Sequence, residues 1–224
     1  SWKHILSTSQ PISLLPLSLD SFTAVESYSV FERLLLHGGL DDNPVDLLLS
    51  CVDNYAARVT INMACLHHDI AWMESGVSED AVSGHIQFIV PGRTACFQCI
   101  PPMAVASGMD ERSIRRDGVC TASLPTTMGI VAGLLAQNVL KYLLHFGQVS
   151  YCLSYNAMNN YFPSDVLLPS RDCVNKDCQR LQLQYRGKWA PDVWIPKSSR
   201  TEEDENEWGI TYPNYPVCTT LTAR

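Results

Sequence analysis

Two short cysteine pairs constrain this chain more than any other feature. Cys96 and Cys99 form a C-x2-C turn, and Cys173 and Cys178 form a C-x4-C turn far downstream. A structural zinc site takes four ligands in a tetrahedron, and thiolate is a preferred ligand. One pair would leave redox chemistry open, since C-x-x-C also serves thiol–disulfide exchange. Two pairs predict a structural Zn²⁺ site that ties two distant segments together.

Two alternatives compete with zinc: four unrelated buried thiols, and a disulfide framework. Pro, Asn, Asp and Lys near the pairs favour turns over core. The chain has nine cysteines, an odd number, and its start does not resemble a secretory signal. Cys51 and Cys65 lie in apolar runs, and such thiols are often buried and free. This usage is typical of a reducing compartment, so we expect a cytoplasmic protein.

Length and charge narrow the class of protein. A chain of 224 residues can hold one good-sized domain and a tail. The net charge of −7 argues against a nucleic-acid partner. The most apolar helical segment, Met128 to Phe146, is interrupted by polar residues. We therefore expect no transmembrane segment.

The order of apolar patterns predicts an α/β fold. Val45 to Val52 is a continuous apolar run, typical of a strand buried on both faces of a parallel sheet. The run ends at Asp53-Asn54 and leads into a helix. A strand, a polar turn and a helix in this order form the α/β unit, whose ligand crevice lies at the carboxyl ends of the strands. The other predicted helices cover 21–37, 55–67 and 123–146, and the other predicted strands cover 11–19, 71–76, 85–90 and 149–155.

Several segments, taken together, resemble motifs of E1-type activating enzymes. The segments are Leu49–Arg58, Trp72–Glu79, the two cysteine pairs, Gly118–Thr127 and Glu205–Ile210. Their order is similar to that in the enzymes that activate ubiquitin-fold modifier 1, over roughly Ser21 to Ile210. The resemblance implies an incomplete Rossmann-like adenylation domain of the E1/ThiF type at 1–178, with the zinc site. It also implies a homodimer that, in the complete enzyme, uses ATP and Mg²⁺ and passes the modifier to an E2 enzyme.

The resemblance assigns three residues to chemistry. Asp53 would hold Mg²⁺ on the ATP phosphates, because Mg²⁺ takes oxygen ligands, and Asn54 would bind the nucleotide. From the residues alone, the N-cap of the next helix is the better explanation of Asp53-Asn54, and the two roles are compatible. Cys120 would be the nucleophile that forms a thioester, aided by nearby arginines and the helix that starts around Pro125. Its alternative is a buried structural cysteine.

The segment 179–224 is expected to be a flexible tail. Residues 202–207 are nearly all acidic, and the segment has too few apolar residues to fold alone. Trp208 and Ile210 are two apart, so in an extended strand they point to the same side. The resemblance makes 202–211 a modifier-interacting motif with these two anchors. A solvated tail without a partner is the alternative.

Both ends of the chain depart from the pattern of these enzymes. A G-x-G-x-x-G turn is missing from the sequence, and 212–224 are unfamiliar where an E2-binding segment would follow. We therefore expect a chain truncated at its N-terminus and altered at its C-terminus. Two other functions stay open: a non-catalytic form that binds the modifier or dimerises without ATP, and a sulfur-carrier adenylyltransferase.

Overall fold

The computed structural model describes residues 25–78, 81–100 and 124–186. The predicted strand at 11–19 lies outside these residues. The described helices and strands follow one another as a mixed α/β chain. In order they are α1 (Val25–His37), a 3₁₀ turn (Leu40–Asp42), β1 (Leu48–Ser50), α2 (Tyr55–His68), β2 (Trp72–Val77), β3 (Ser83–Ile89), α3 (Pro125–Leu143), β4 (Cys152–Asn156), β5 (Ser164–Asp165) and α4 (Lys176–Gln184).

The described strands form one sheet in the order β1-β2-β3-β4-β5. β1 and β2 are parallel and are joined through α2, whereas the other three pairings are antiparallel. The predicted parallel sheet is therefore wrong beyond the first pair. The reason is the short turn between β2 and β3, since a parallel return needs a crossover of about a dozen residues or more.

The sheet separates two apolar layers. Neighbouring side chains of β2 alternate between them: Trp72 packs with α1, α2 and α4, and Met73 packs with α3. Phe88 and Ile89 of β3 alternate in the same way, as successive strand residues must. All four side chains are almost fully buried. Each contributes about 1.5–3 kcal/mol through removal of apolar surface from water.

The predicted strand at 45–52 is shorter and more exposed than its sequence suggests. The run from Val45 to Val52 contributes only Leu48–Ser50 to the ladder. Val45 and Val52 instead pack on the core beside the strand, and Leu49 is 38% exposed. Cys51, expected to be buried, is also exposed, while Cys65 is buried as expected. An apolar run does not reveal whether its strand has sheet neighbours on both sides.

The predicted boundary at 178/179 falls inside a helix. α4 continues from Lys176 to Gln184, and Leu181 is 1% exposed within the core. A Cβ on Gly92, whose φ is +68°, would lie 2.6 Å from the Leu181 backbone, so glycine allows this close approach. The described domain therefore extends beyond the second cysteine pair. Among the described helices, none is long and apolar enough to cross a membrane.

Candidate functional site

The structure brings the four paired cysteines together. The sulfurs of Cys96, Cys99, Cys173 and Cys178 all lie within 4.8 Å of one another. Cys96 Sγ is 3.6 Å from Cys173 Sγ, and Cys99 Sγ is 3.7 Å from Cys178 Sγ. Each close contact joins one turn to the other. These separations are far longer than a disulfide bond of about 2.05 Å.

The cluster fits a tetrahedral zinc ion. A Zn–S distance of about 2.3 Å places neighbouring sulfurs about 3.8 Å apart, close to the 3.6 Å and 3.7 Å found for two of the pairs. Three of the four cysteines are buried and the fourth is half-buried. Thiolates are soft ligands that suit zinc better than magnesium or calcium. Zn²⁺ bound here would join the loop after β3 to the start of α4.

Local hydrogen bonds orient the two turns. The Asn175 side chain caps α4 by accepting a bond from Cys178 N at 3.1 Å. Ser170 N donates to Cys99 Sγ, and Gln182 Nε2 donates to Cys178 Sγ, both at 3.3 Å. Donors near a metal-bound thiolate fix its direction and moderate its charge. The backbone and side-chain amide groups around the cluster therefore hold the four sulfurs in positions suited to binding a metal ion.

Without a metal ion, the pKa values of the clustered cysteines shift in different directions. Hydrogen bonds from the Cys178 and Cys96 thiols hold the pKa of Cys99 well below its usual range. Bonds to Cys178 and Cys99, and burial, raise the pKa of Cys96. Burial raises the pKa of Cys173. Since a zinc ligand must be a thiolate, metal binding would release protons and weaken as pH falls.

Asp53 and Asn54 lie at the carboxyl end of β1, where the sequence predicted a ligand crevice. Asn54 is the N-cap of α2, and its Oδ1 accepts a bond from Ala57 N at 2.8 Å. The N-cap alternative is thus correct for Asn54. Both side chains are exposed. Asn54 Nδ2 donates to Asp53 Oδ1 at 3.4 Å, and both groups stay exposed, so the N-cap role leaves them accessible to a ligand.

A buried charge cluster lies beside this edge and was not predicted. Glu74 is fully buried, with one oxygen 3.3 Å from Arg58 Nη1 and the other 2.5 Å from His85 Nε2. Arg58 Nη2 also donates to the carbonyls of Val52 and Ser75. Arg58 therefore joins the ends of β1 and β2. The one sequence signal was a glutamate in an otherwise apolar strand segment.

The cluster opens into a cleft of about 460 Å³. Arg58 and His85 line it, and polar groups of Ser78, Ser83 and Asn156 complete its wall. A Cβ on Gly76 would lie 2.9 Å from His85 Cε1 and 3.2 Å from Arg58 Nη1. Glycine at this position therefore leaves room for the Arg58 and His85 side chains. Both polar and apolar side chains line the cleft.

Three predicted site residues fall outside the described part of the chain. Cys120 lies in 101–123, and Trp208 and Ile210 lie in 187–224. The helix expected after Cys120 is α3, and Pro125 opens it as predicted. The arginines near Cys120 also lie outside the described ranges.

Comparison with known proteins adds a family and named relatives. The model of the ThiF family matches residues 29–179, more than half of the chain. Three similar proteins carry the name ubiquitin-like modifier-activating enzyme 5. The one from Rattus norvegicus is 50% identical over 93% of this chain and 53% of its own length. The relative from Branchiostoma floridae is 53% identical over 85% of this chain and 48% of its own length. The relative from Caenorhabditis elegans is 49% identical over 87% of this chain and 48% of its own length. The chain spans about half the length of these curated relatives.

Proposed function

The chain belongs to the ThiF family, and from this premise we propose that the protein is an E1-type enzyme that activates ubiquitin-fold modifier 1. The observation that carries the proposal is the 50% identity, over 93% of this chain, to a relative named as a modifier-activating enzyme. The motif order in the sequence supports ubiquitin-fold modifier 1 as the particular modifier. The four-thiol cluster and the accessible Asp53 and Asn54 are consistent with that assignment.

The first proposed step is adenylation. A carboxylate oxygen of the modifier's C-terminal glycine attacks the α-phosphorus of ATP. The bond between the α- and β-phosphates breaks, pyrophosphate leaves, and an acyl-adenylate forms. Asp53 would hold Mg²⁺, which balances charge on the phosphates, and Asn54 Nδ2 would donate to the nucleotide. These residues contribute chiefly by positioning charged groups.

The cleft beside Arg58 and His85 supports a place for the modifier's C-terminal segment. The side chains of Arg58 and His85 line the cleft, and the buried Glu74 carboxylate contacts both of them. A bound carboxylate would be attracted to the Arg58 guanidinium. Because the cleft lies at the same sheet edge as Asp53 and Asn54, the reacting groups would be close together.

The second proposed step forms a thioester. The thiolate of Cys120 attacks the carbonyl carbon of the adenylate, the bond to the AMP oxygen breaks, and AMP leaves. A lowered thiol pKa favours this attack, and the N-terminal end of α3 at Pro125 is a source of positive potential nearby in sequence. The thioester then passes to the thiol of an E2 enzyme.

The remaining assignments complete the proposal. Zn²⁺ held by the four-cysteine cluster is structural and takes no part in the steps above. Trp208 and Ile210 dock on the modifier, the protein acts as a homodimer, and it works in the cytoplasm. Exposed apolar side chains on α3, Met128 and Leu140, are consistent with burial in a subunit contact.

Exchange of labelled pyrophosphate into ATP tests the proposed function. The full-length protein should catalyse exchange when ubiquitin-fold modifier 1 is added, and not when ubiquitin is added. Asp53→Ala should reduce the exchange rate by a large factor, whereas replacement of the exposed Asp172 by Ala should leave it unchanged. Absence of modifier-dependent exchange in the full-length protein would contradict the proposal.

A further inference from the structure

We propose that Gln98 is a positioning residue that prearranges the metal site, by joining both cysteine turns to each other and to α2. The inference rests on the proposed zinc site. Gln98 lies between the two cysteines of the first turn. Its side-chain oxygen accepts two hydrogen bonds, from Asn62 Nδ2 at 3.1 Å and from Asn175 Nδ2 at 2.9 Å.

One of these bonds anchors the first turn to α2. Asn62 lies on α2 and is 0% exposed. Its Oδ1 accepts from Phe97 N at 3.0 Å, so both ends of this amide contact the first turn. A buried amide that loses a partner costs about 1–3 kcal/mol. Asn62 therefore fixes the position of Gln98 strongly.

The other bond reaches the second turn. Asn175 lies between Cys173 and Cys178 and caps α4 through Cys178 N. Its Nδ2 is left to donate to Gln98. A continuous hydrogen-bonded route therefore runs from α2 through Gln98 to the backbone of a metal ligand. The route joins the two turns without requiring a metal ion.

The expected consequence is a smaller ordering cost when zinc binds. Turns that are already held in register lose less conformational freedom on binding, and preorganisation of this kind raises affinity. Groups that orient metal ligands typically change metal affinity by about 10–100-fold when removed. A glutamine that served stability alone would leave the zinc affinity of the folded protein unaltered.

Four variants separate the two roles. Gln98→Ala removes the shared acceptor. Gln98→Glu keeps an oxygen that can accept both bonds. Asn175→Ser keeps a good N-cap but is too short to reach Gln98. Gln184→Ala changes an exposed glutamine on α4 and serves as the matched control.

The measurement is the zinc dissociation constant, from competition with a chromogenic chelator. The absorption spectrum of the Co²⁺-substituted protein reports the thiolate geometry. We expect Gln98→Ala and Asn175→Ser to raise the dissociation constant by about 10-fold or more and to alter the Co²⁺ bands. Gln98→Glu should bind close to wild type, and Gln184→Ala should match it.

The outcomes distinguish this inference from the zinc proposal. If wild type binds zinc and Gln98→Ala binds it equally well, the positioning role of Gln98 is overturned and the zinc site stands. Equal weakening by Gln98→Glu and Gln98→Ala would also overturn it, since the acceptor would not matter. If wild type binds no zinc, both the zinc site and this inference are wrong.

Discussion

Arg58 Nη1 lies 3.3 Å from the Glu74 carboxylate, and the Glu74 side chain is 0% exposed. Arg58 is itself only 19% exposed and also bonds the carbonyls of Val52 and Ser75. One buried ion pair therefore holds the ends of β1 and β2 together where the cleft opens. Removing one partner of such a pair leaves a buried charge, which is costly.

Replacement of Arg58 by Leu should destabilise the protein markedly. We expect the free energy of unfolding to fall by about 3 kcal/mol, because Glu74 would lose its permanent cation. Arg58→Lys should lose less, since the charge remains while the forked hydrogen bonds do not. Urea denaturation followed by circular dichroism measures both values.

Arg180 supplies the control for this comparison. It pairs with Asp177 at 3.1 Å on the surface of α4, and both side chains are more than a third exposed. Exposed pairs contribute about 0–1 kcal/mol, so Arg180→Leu should change stability little. A loss for Arg58→Leu no larger than that for Arg180→Leu would show that the buried pair is not stabilising.

The elements of the fold were largely readable from the sequence. The pattern at 55–67 predicted α2 closely, and that at 123–146 predicted α3 with Pro125 in its first turn. Sheet direction was predicted less well, because continuous apolar residues at 45–52 mimic a central parallel strand. The short connection after Val77 was the overlooked signal.

In the candidate site too, some contacts could be predicted from the sequence and others could not. Cysteine spacing predicted which sulfurs meet, because ligand geometry is local to each turn. Nothing local links Glu74 with Arg58 and His85, which come from β2, α2 and β3. Gln98, Asn62 and Asn175 were also missed, since their contacts depend on how α2 and α4 pack. Contacts between distant elements that carry no ligand spacing of their own follow from tertiary structure alone.

Purified protein should contain one zinc ion for each chain. We expect Cys173→Ser to lose most of the metal and to melt at lower temperature, because zinc binding and folding are coupled. Cys51→Ser changes an exposed thiol and should keep both metal content and melting temperature. Elemental analysis and calorimetry make the test, and zinc-free wild type would refute the site.

Cysteines outside the cluster should differ in reactivity. Burial raises the pKa of Cys65, and burial followed by the nearby Asp165 carboxylate raises the pKa of Cys152. Since the thiolate is the reactive form, both should react with iodoacetamide slowly at neutral pH and faster only at high pH. The exposed Cys51 should be labelled before either.

Peptide mapping by mass spectrometry follows each thiol separately. The cysteine peptides from a time course at two pH values give the individual rates. Labelling of Cys65 in the native protein as fast as that of Cys51 would contradict the burial of Cys65. Urea-unfolded protein is the control, in which all rates should become similar.

Trp208 should dominate binding of the tail to the modifier. Trp208→Ala should weaken binding of ubiquitin-fold modifier 1 far more than Glu203→Ala, because a buried tryptophan anchors short interfaces. The acidic residues should chiefly affect the association rate and its dependence on salt. Calorimetric titration gives the affinities. Equal effects of the two substitutions would indicate that the tail is only a solvated segment.

The most direct test of the account is detection of a thioester on Cys120. Full-length protein, ATP, Mg²⁺ and ubiquitin-fold modifier 1 should yield an adduct that survives non-reducing electrophoresis and disappears with reductant. Cys120→Ala should abolish the adduct while leaving pyrophosphate exchange largely intact, since adenylation precedes attack by the thiol. An adduct of unchanged yield on the Cys120→Ala protein would contradict the account.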